Sequence, residues 1–519
     1  MRSSSRIFYP LLLLGVLLGG AAAYLYWFTE EDVHWPAFAS MAVFYAIVYY
    51  IGARAAGNHG VKDNDADGMM LAGRNLPLYV AVFTMSATWV GGGFINGTAE
   101  YTATQGLIWV QAPWGYALSL VVGGLFFART MRRRRYRTML DPLTERYGER
   151  FTAVLFLPAL TGELFWTAAI LTALGATFGT VLGIDLTTAI LLSATIAVAY
   201  TALGGLWAVA MTDVVQLIIL FGGLALIVPF ALEFTGGLEA TWSAYQDKFG
   251  TAATLLPSRE ALGSSYWTWW DYALLLVFGG IPWQVYFQRV LAARDEDTAV
   301  RLSLIAGVVC LLAAVAPVLI GMVAATVDWS VLPAGPPPDA SATLPWVVRY
   351  LTNPIVAVVG LGAVAAAVMS SVDSSVLSAS SMGVWNVYKP LVKPALPDGR
   401  VAVLIQRCIW IVGTAATLIA FQVQSVYALW FLCSDFVYCL LFPALVCALY
   451  DPKANARGAV AGFLIAAFLR FGGGDATLGL PAYLPYPDDF PFRTLAMGSG
   501  LLAIFSFSRL FPNSVRYHD

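Results

Sequence analysis

The sequence predicts an all-α membrane protein of about 14 transmembrane helices, ten of them in two five-helix units of opposite orientation. Three observations predict it. The chain of 519 residues is 59% hydrophobic and only 12% charged, where soluble domains run at about 25% charged; its mean hydropathy is +0.72. Apolar runs such as 302–325 and 427–450 recur from end to end, each longer than the roughly 20 residues that cross the hydrocarbon core as a helix. Two runs are interrupted by glycine and proline at matching places, five spans apart.

Composition also excludes function classes. A net charge of −2 argues against a nucleic-acid partner. Cys310, Cys408, Cys433, Cys439 and Cys447 all fall inside apolar runs, where buried free thiols are expected rather than a disulfide framework or a metal cluster. His34, His59 and His518 lie outside the runs. That argues against a Ser–His catalytic pair or a His-ligated metal in the membrane, and so against an enzyme.

In chain order the spans are expected near 7–28, 36–56, 77–103, 107–130, 151–182, 186–203, 206–233, 272–292, 302–326, 346–386, 401–423, 427–450, 457–472 and 493–511. Backbone in lipid must satisfy its own hydrogen bonds, which makes each span a helix. In the first run, Arg2 and Arg6 precede an apolar stretch ending in Ala21, Ala22 and Ala23, which resembles a signal-peptide cleavage site. The run continues apolar through Tyr24–Phe28, which favours a retained helix over a cleaved one. The organisation expected is an extra N-terminal helix and short outer loop (1–35), a leading helix with a cytoplasmic loop (36–76), a first repeat (77–233), an extracellular loop (234–270), a second repeat (271–450), and two C-terminal helices with a short tail (451–519).

Arg129, Arg132 to Arg135 and Arg137 crowd the connection after the fourth span, which places that connection in the cytoplasm. Counting from there, Arg289, Arg294, Arg301, Lys389, Lys393, Arg400, Lys453 and Arg457 fall on the same side, and both termini are cytoplasmic in a multi-pass protein of the cell membrane. The cluster is read as a topology signal, with lipid binding as the alternative.

The third span contains Met85-Ser-Ala-Thr-Trp-Val-Gly-Gly-Gly-Phe94, and the eighth contains Phe278-Gly-Gly-Ile-Pro-Trp-Gln284. Glycine runs and proline interrupt the helical hydrogen-bond ladder, and freed carbonyls are tolerated at membrane depth only beside protein or a wet cavity. Two five-helix units, each opened by a break, run in opposite directions, the pattern of an inverted-repeat transporter with a site at the midplane. Close helix packing is the competing explanation for glycines; it accounts less well for two breaks in corresponding places.

Trp89 precedes the glycine run and Trp283 follows the Gly-Gly-Ile-Pro break, so both are expected to face one cavity, with Tyr116 and Trp166 completing a cage. Ring faces suit quaternary ammonium cations, which donate no hydrogen bonds. The chain has 17 tryptophans, and most of them must anchor or pack, as Trp267, Trp269 and Trp270 are expected to do at the interface. The tenth span reads Ala365-Ala-Ala-Val-Met-Ser-Ser-Val-Asp-Ser-Ser375. Ser370, Ser371, Asp373 and Ser374 there offer hard oxygen ligands for a cation; the alternative is serines bonded to their own helix carbonyls. Asp213 is an intramembrane acid, a costly residue that usually has a function. Glu163 and Asp435 also sit within spans, without a role assignable from sequence.

These residues resemble the sodium/solute symporter family, in its choline-transporting branch. The resembling segments are Thr84–Glu100, Gln111–Leu120, Met139–Pro142, Pro158–Trp166, Tyr200–Leu206, Thr212–Leu217, Gly279–Arg289, Ala366–Ser375 and Phe492–Met497, spread over roughly 36–511. The serine run marks the wider family; Trp89-Val-Gly-Gly-Gly93 and Gly279-Gly-Ile-Pro-Trp283 mark the branch. The resemblance implies a leucine-transporter-like core, sodium-driven uptake of choline by alternating access, and chloride dependence without a placed chloride. It implies choline between Trp89, Tyr116, Trp166 and Trp283, and sodium on the carbonyls of Ala87, Val90 and Ala367 with the hydroxyls of Ser370 and Ser371. A second sodium is implied, less directly, at Asp213, Asp373 and Ser374. The alternatives are a sodium symporter for another small solute (a different quaternary amine, proline or a sugar) and a transporter-like sensor or channel; homo-oligomers are compatible with all of them.

Two features depart from the branch. The N-terminal run has no recognised counterpart. The chain ends at Asp519, short of the long tail of animal members, so tail-based control of trafficking is expected to be absent. The sequon at Asn96 is expected within the membrane and unused.

Overall fold

The computed structural model describes residues 2–29, 33–58, 66–203, 205–422, 426–475 and 477–512. His59 and His518, the short tail after 512 and Gly204 within the Tyr200–Leu206 segment lie outside them. The regular structure of the described residues is helical, with isolated bridges between Leu76 and Ala293 and between Asp475 and Leu480.

The main helices are α1 (Arg2–Phe28), α2 (Trp35–Asn58), α3 (Leu78–Trp89), α4 (Gly92–Thr104), α5 (Ala112–Val122), α6 (Glu149–Leu182), α7 (Leu186–Leu203), α8 (Leu206–Glu233), α9 (Tyr266–Gly279), α10 (Gln284–Ala292), α11 (Glu296–Thr326), α12 (Pro354–Met382), α13 (Asp398–Ala420), α14 (Val426–Phe436), α15 (Ala456–Gly472) and α16 (Phe492–Leu510). Among the described residues, ten segments are long and apolar enough to cross a membrane, or eleven with the α3–α4 pair taken as one bent span. The expected count of fourteen therefore exceeds what length and composition support: α7 is apolar only over Leu186–Ala199, and α15 and α16 fall outside the set.

Both expected breaks are present. α3 stops at Trp89, Val90 and Gly91 leave the helical region, and α4 departs at 48°. α9 stops at Gly279 and α10 starts at Gln284, with Trp283 extended between them (φ −113°, ψ 134°).

The tenth span differs from its expected 346–386. Helix Thr343–Tyr350 ends first, and α12 begins afresh at Pro354, with the Asn353 side chain accepting from the Val356 N–H at 3.0 Å. Asparagine as cap and proline at the first helical position make a strong start signal. From Ala363 to Met382 every residue of α12 is buried, because its alanines and serines let neighbouring helices approach closely. Outward faces carry the large apolar residues instead, such as Leu312 and Val315 on α11, 61% and 54% exposed.

Three helices widen into π turns: after α5 at Gly123–Ala128, after α12 at Gly383–Tyr388 and after α14 at Val437–Leu441. The connection 234–270 is itself structured, with a helix at Leu238–Phe249 whose Tyr245 hydroxyl donates to the Thr102 carbonyl at 2.7 Å.

Candidate functional site

Trp89, Tyr116, Trp166 and Trp283 come together as expected. They line one cavity with Trp430 and Cys433, both from α14. Trp89 closes α3, and Trp283 stands in the gap before α10, so the two broken spans meet there. Ring centroids lie 6.1 Å apart for Trp89–Tyr116, 6.2 Å for Trp89–Trp166 and 5.5 Å for Trp166–Trp283, all edge-to-face. That geometry turns ring faces, the negative part of the quadrupole, towards different sides of one volume. All four are 4–7% exposed.

Two of the rings are held by hydrogen bonds. The Trp283 Nε1–H donates to the Gly279 carbonyl at 2.6 Å, across the break. Tyr116 bonds the Ser434 hydroxyl, and its ring stacks on Trp430 at 4.9 Å. The Trp89 Nε1 is buried without a partner.

Beside the cage, α12 faces the break in α3. Ala367, Ser370 and Ser371 lie three and four residues apart, on one helical face. The Ser371 hydroxyl donates to the Thr88 carbonyl at 2.9 Å, and Thr88 and Ser374 hydroxyls meet at 3.0 Å. Carbonyls in the last turn of a helix lose their intrahelical partners, which frees those of Ala87 and Val90 at this break. Of the oxygens expected for one sodium, the Ser371 hydroxyl stands at the break itself, while the Ser370 hydroxyl is buried without a hydrogen-bond partner.

The residues expected for a second sodium are arranged differently. Asp213 on α8 accepts from the Thr84 hydroxyl at 2.5 Å. Arg289 Nη2 lies 3.7 Å from the Asp213 carboxylate, with both side chains fully buried, and donates to the Ser374 hydroxyl at 2.5 Å. Its other nitrogens reach Gln288 at 3.1 Å and Thr84 at 3.4 Å. Arg289 was expected among the cytoplasmic basic residues; it instead stands as a fixed cation between Asp213 and Ser374. Asp373 points elsewhere, accepting from Thr201 on α7 at 2.6 Å.

Asp435 acquires a partner set. Arg470 on α15 and Arg493 on α16 bond it at 2.6 and 2.8 Å, and Arg470 also holds Asp475 at 2.6 Å. Asn96 is buried, with its amide donating to the Ala173 carbonyl at 3.2 Å, as its predicted membrane position implies. Of the three tryptophans expected at the interface, Trp267 and Trp270 are exposed, while Trp269 is buried and donates to the Ile108 carbonyl.

A model of the sodium:solute symporter family matches residues 69–466. High-affinity choline transporter 1 of Drosophila melanogaster is 45% identical over 488 residues, 90% of this chain and 77% of that protein. The high affinity choline transporter 1 of Homo sapiens is 43% identical over 497 residues, 90% of this chain and 84% of that protein. A solved Na+-coupled sialic acid symporter, in a substrate-bound outward-open state, superposes with a TM-score of 0.77 at 19% identity, over 92% of this chain and 99% of that one. That last likeness is one of fold.

Proposed function

The chain belongs to the sodium:solute symporter family, and from that membership we propose that it imports choline together with sodium by alternating access. The observation that carries the choline reading is the cage, four rings from four separate segments closing on one volume between two broken spans. The choline transporters that share 43–45% of its residues support the same substrate.

In this reading the core is a 5+5 inverted repeat over 77–233 and 271–450, with α7, α15 and α16 completing fourteen helices in the plasma membrane and both termini in the cytoplasm. Sodium binds first from outside, on the carbonyls of Ala87, Val90 and Ala367 and the hydroxyls of Ser370 and Ser371, and braces α3 against α12. Choline then exchanges its water for ring faces. A second sodium at Asp213, Asp373 and Ser374 has to compete with Arg289 for the same oxygens. Chloride dependence belongs to the reading without an assigned residue.

The inside-negative potential favours entry of each positive charge by about 2.3 kcal/mol per 100 mV, roughly a 50-fold accumulation at about 1.4 kcal/mol per tenfold. The test is uptake of labelled choline into vesicles holding the purified protein, with sodium and chloride replaced in turn. Uptake that requires sodium, rises with an inside-negative potential and resists competition by proline and glucose supports the reading. Choline uptake indifferent to sodium overturns it.

A further inference from the structure

The cage has ring faces but no formal charge, and a permanent cation entering it leaves bulk water behind. Moving an unpaired ion into such surroundings is costly unless a counter-charge meets it. One acid beside the cage is unused by anything described above. Glu163 on α6 lies one turn before Trp166, so the two share a helical face. It is 1% exposed, and both of its carboxyl oxygens are buried without a hydrogen-bond partner. Native interiors rarely leave a carboxyl in that condition.

Its surroundings place it beside residues that line the cage, outside the lining itself. Gly162, next in the chain, packs against the Cys433 carbonyl and the outer edge of the Trp283 indole. Cys433, which lines the cavity, and Arg289 are its electrostatic neighbours. The nearby Thr167 hydroxyl bonds the Glu163 main-chain carbonyl at 2.6 Å and Ser375 at 2.8 Å, bypassing the carboxyl. Among the described residues no donor hydrogen-bonds this carboxyl and Arg289 acts on it only through space; the cargo brings a second positive charge, on the cage side.

We propose that Glu163 supplies the counter-charge of the aromatic cage, pairing with cationic quaternary amines and rejecting those that carry a carboxylate of their own. The inference deepens the choline reading above and rests on it. Rings alone bind any trimethylammonium head; a carboxylate beneath them separates choline and tetramethylammonium, each of net charge +1, from glycine betaine, of net charge zero.

The test is binding to the purified full-length protein in sodium, read from quenching of the cage tryptophans, with choline, tetramethylammonium and glycine betaine as probes. Glu163→Gln keeps the shape and removes the charge. Choline and tetramethylammonium should weaken by roughly thirtyfold or more, the lower end of what losing one partner of a buried charge pair costs, while betaine weakens less or gains. Glu163→Asp should recover part of the loss and keep betaine excluded. An unchanged betaine-to-choline ratio in Glu163→Gln overturns the proposal, since a purely structural glutamate moves neither probe against the other. If Glu163→Gln does not purify as a folded protein, Glu163→Asp decides alone: betaine still rejected supports the proposal, betaine admitted overturns it. Wild-type protein that binds tetramethylammonium but not choline refutes the substrate reading and leaves the Glu163 comparison intact.

Discussion

Replacing Gly91 by alanine should raise the sodium requirement of uptake. Gly91 lies in the gap between α3 and α4 at φ −92°, ψ −167°, extended backbone that alanine adopts without strain. Space is what it lacks. A Cβ there would stand 1.9 Å from the Ser371 hydroxyl oxygen and 2.6 Å from the Ser371 Cβ, where ordinary contact begins at 3.4 Å. Turning the hydroxyl aside relieves the first clash but breaks its 2.9 Å bond to the Thr88 carbonyl. The second clash remains, so the break and α12 must part by 3.4 − 2.6, or 0.8 Å. Overpacking of this kind costs about 1–3 kcal/mol. Expressed wholly at the sodium ligands, that is about a 5- to 140-fold rise in half-saturating sodium, at about 1.4 kcal/mol per tenfold. The assay is a sodium titration of labelled choline uptake at equal transporter content, with Gly222→Ala, whose Cβ would meet nothing within 4 Å, as the matched control. A Gly91→Ala titration that overlays the wild type refutes the reasoning.

Three further outcomes are expected. Trp283→Ala and Trp430→Ala each remove a wall of the cage, and at about 0.5–2 kcal/mol per ring face half-saturating choline should rise by roughly 2- to 30-fold; Tyr116→Phe, which keeps the ring and loses the hydroxyl's contacts with Ser434 and Cys433, should cost less. Arg289→Lys keeps a charge but not the planar fork that reaches Thr84, Asp213, Gln288 and Ser374 together, so the melting temperature in detergent should fall even where the protein still reaches the membrane. Asp435→Asn strips Arg470 and Arg493 of their shared carboxylate and should destabilise by about 3–5 kcal/mol; Asp435→Asn with Arg493→Gln should lose less than the sum of the two changes, again read by melting.

What the sequence made legible depended on local signals. The breaks were legible because Gly91-Gly92-Gly93 and Gly279-Gly280-Ile281-Pro282 weaken the helical ladder within an apolar run, and the flanking indoles were found because they flank those breaks. Trp430 was not, since it lies in an uninterrupted helix and nothing local separates it from the other tryptophans. Asp213 announced itself as an intramembrane acid, but Arg289 read as one more basic residue at the inner end of a span. Only folding shows that 76 residues of chain return to bring the two within 3.7 Å. The same holds for Asp435, whose partners Arg470 and Arg493 lie 35 and 58 residues further on, in the last two helices. The division of 346–386 was legible and overlooked: Asn353-Pro354 is a helix start, but hydropathy alone runs through it. Whether α7, α15 and α16 cross the bilayer is decided by packing against neighbours, which no window along the chain records.

The wide turn at Val437–Leu441 has a consequence for how this scaffold tolerates change in length. A π turn holds one residue more than the α turn it replaces, closing i→i+5 where its flanks close i→i+4. Upstream, Trp430 and Cys433 face the cavity; downstream, the Ala444 carbonyl accepts from the Tyr147 hydroxyl at 2.9 Å. Removing one residue from 437–441 would tighten that turn to ordinary pitch and leave both flanks in phase, whereas the same deletion a turn earlier would rotate the indole out of the cavity. The helix thus carries a built-in slack, and insertions or deletions among descendants of this sequence should collect there rather than in the regular turns on either side.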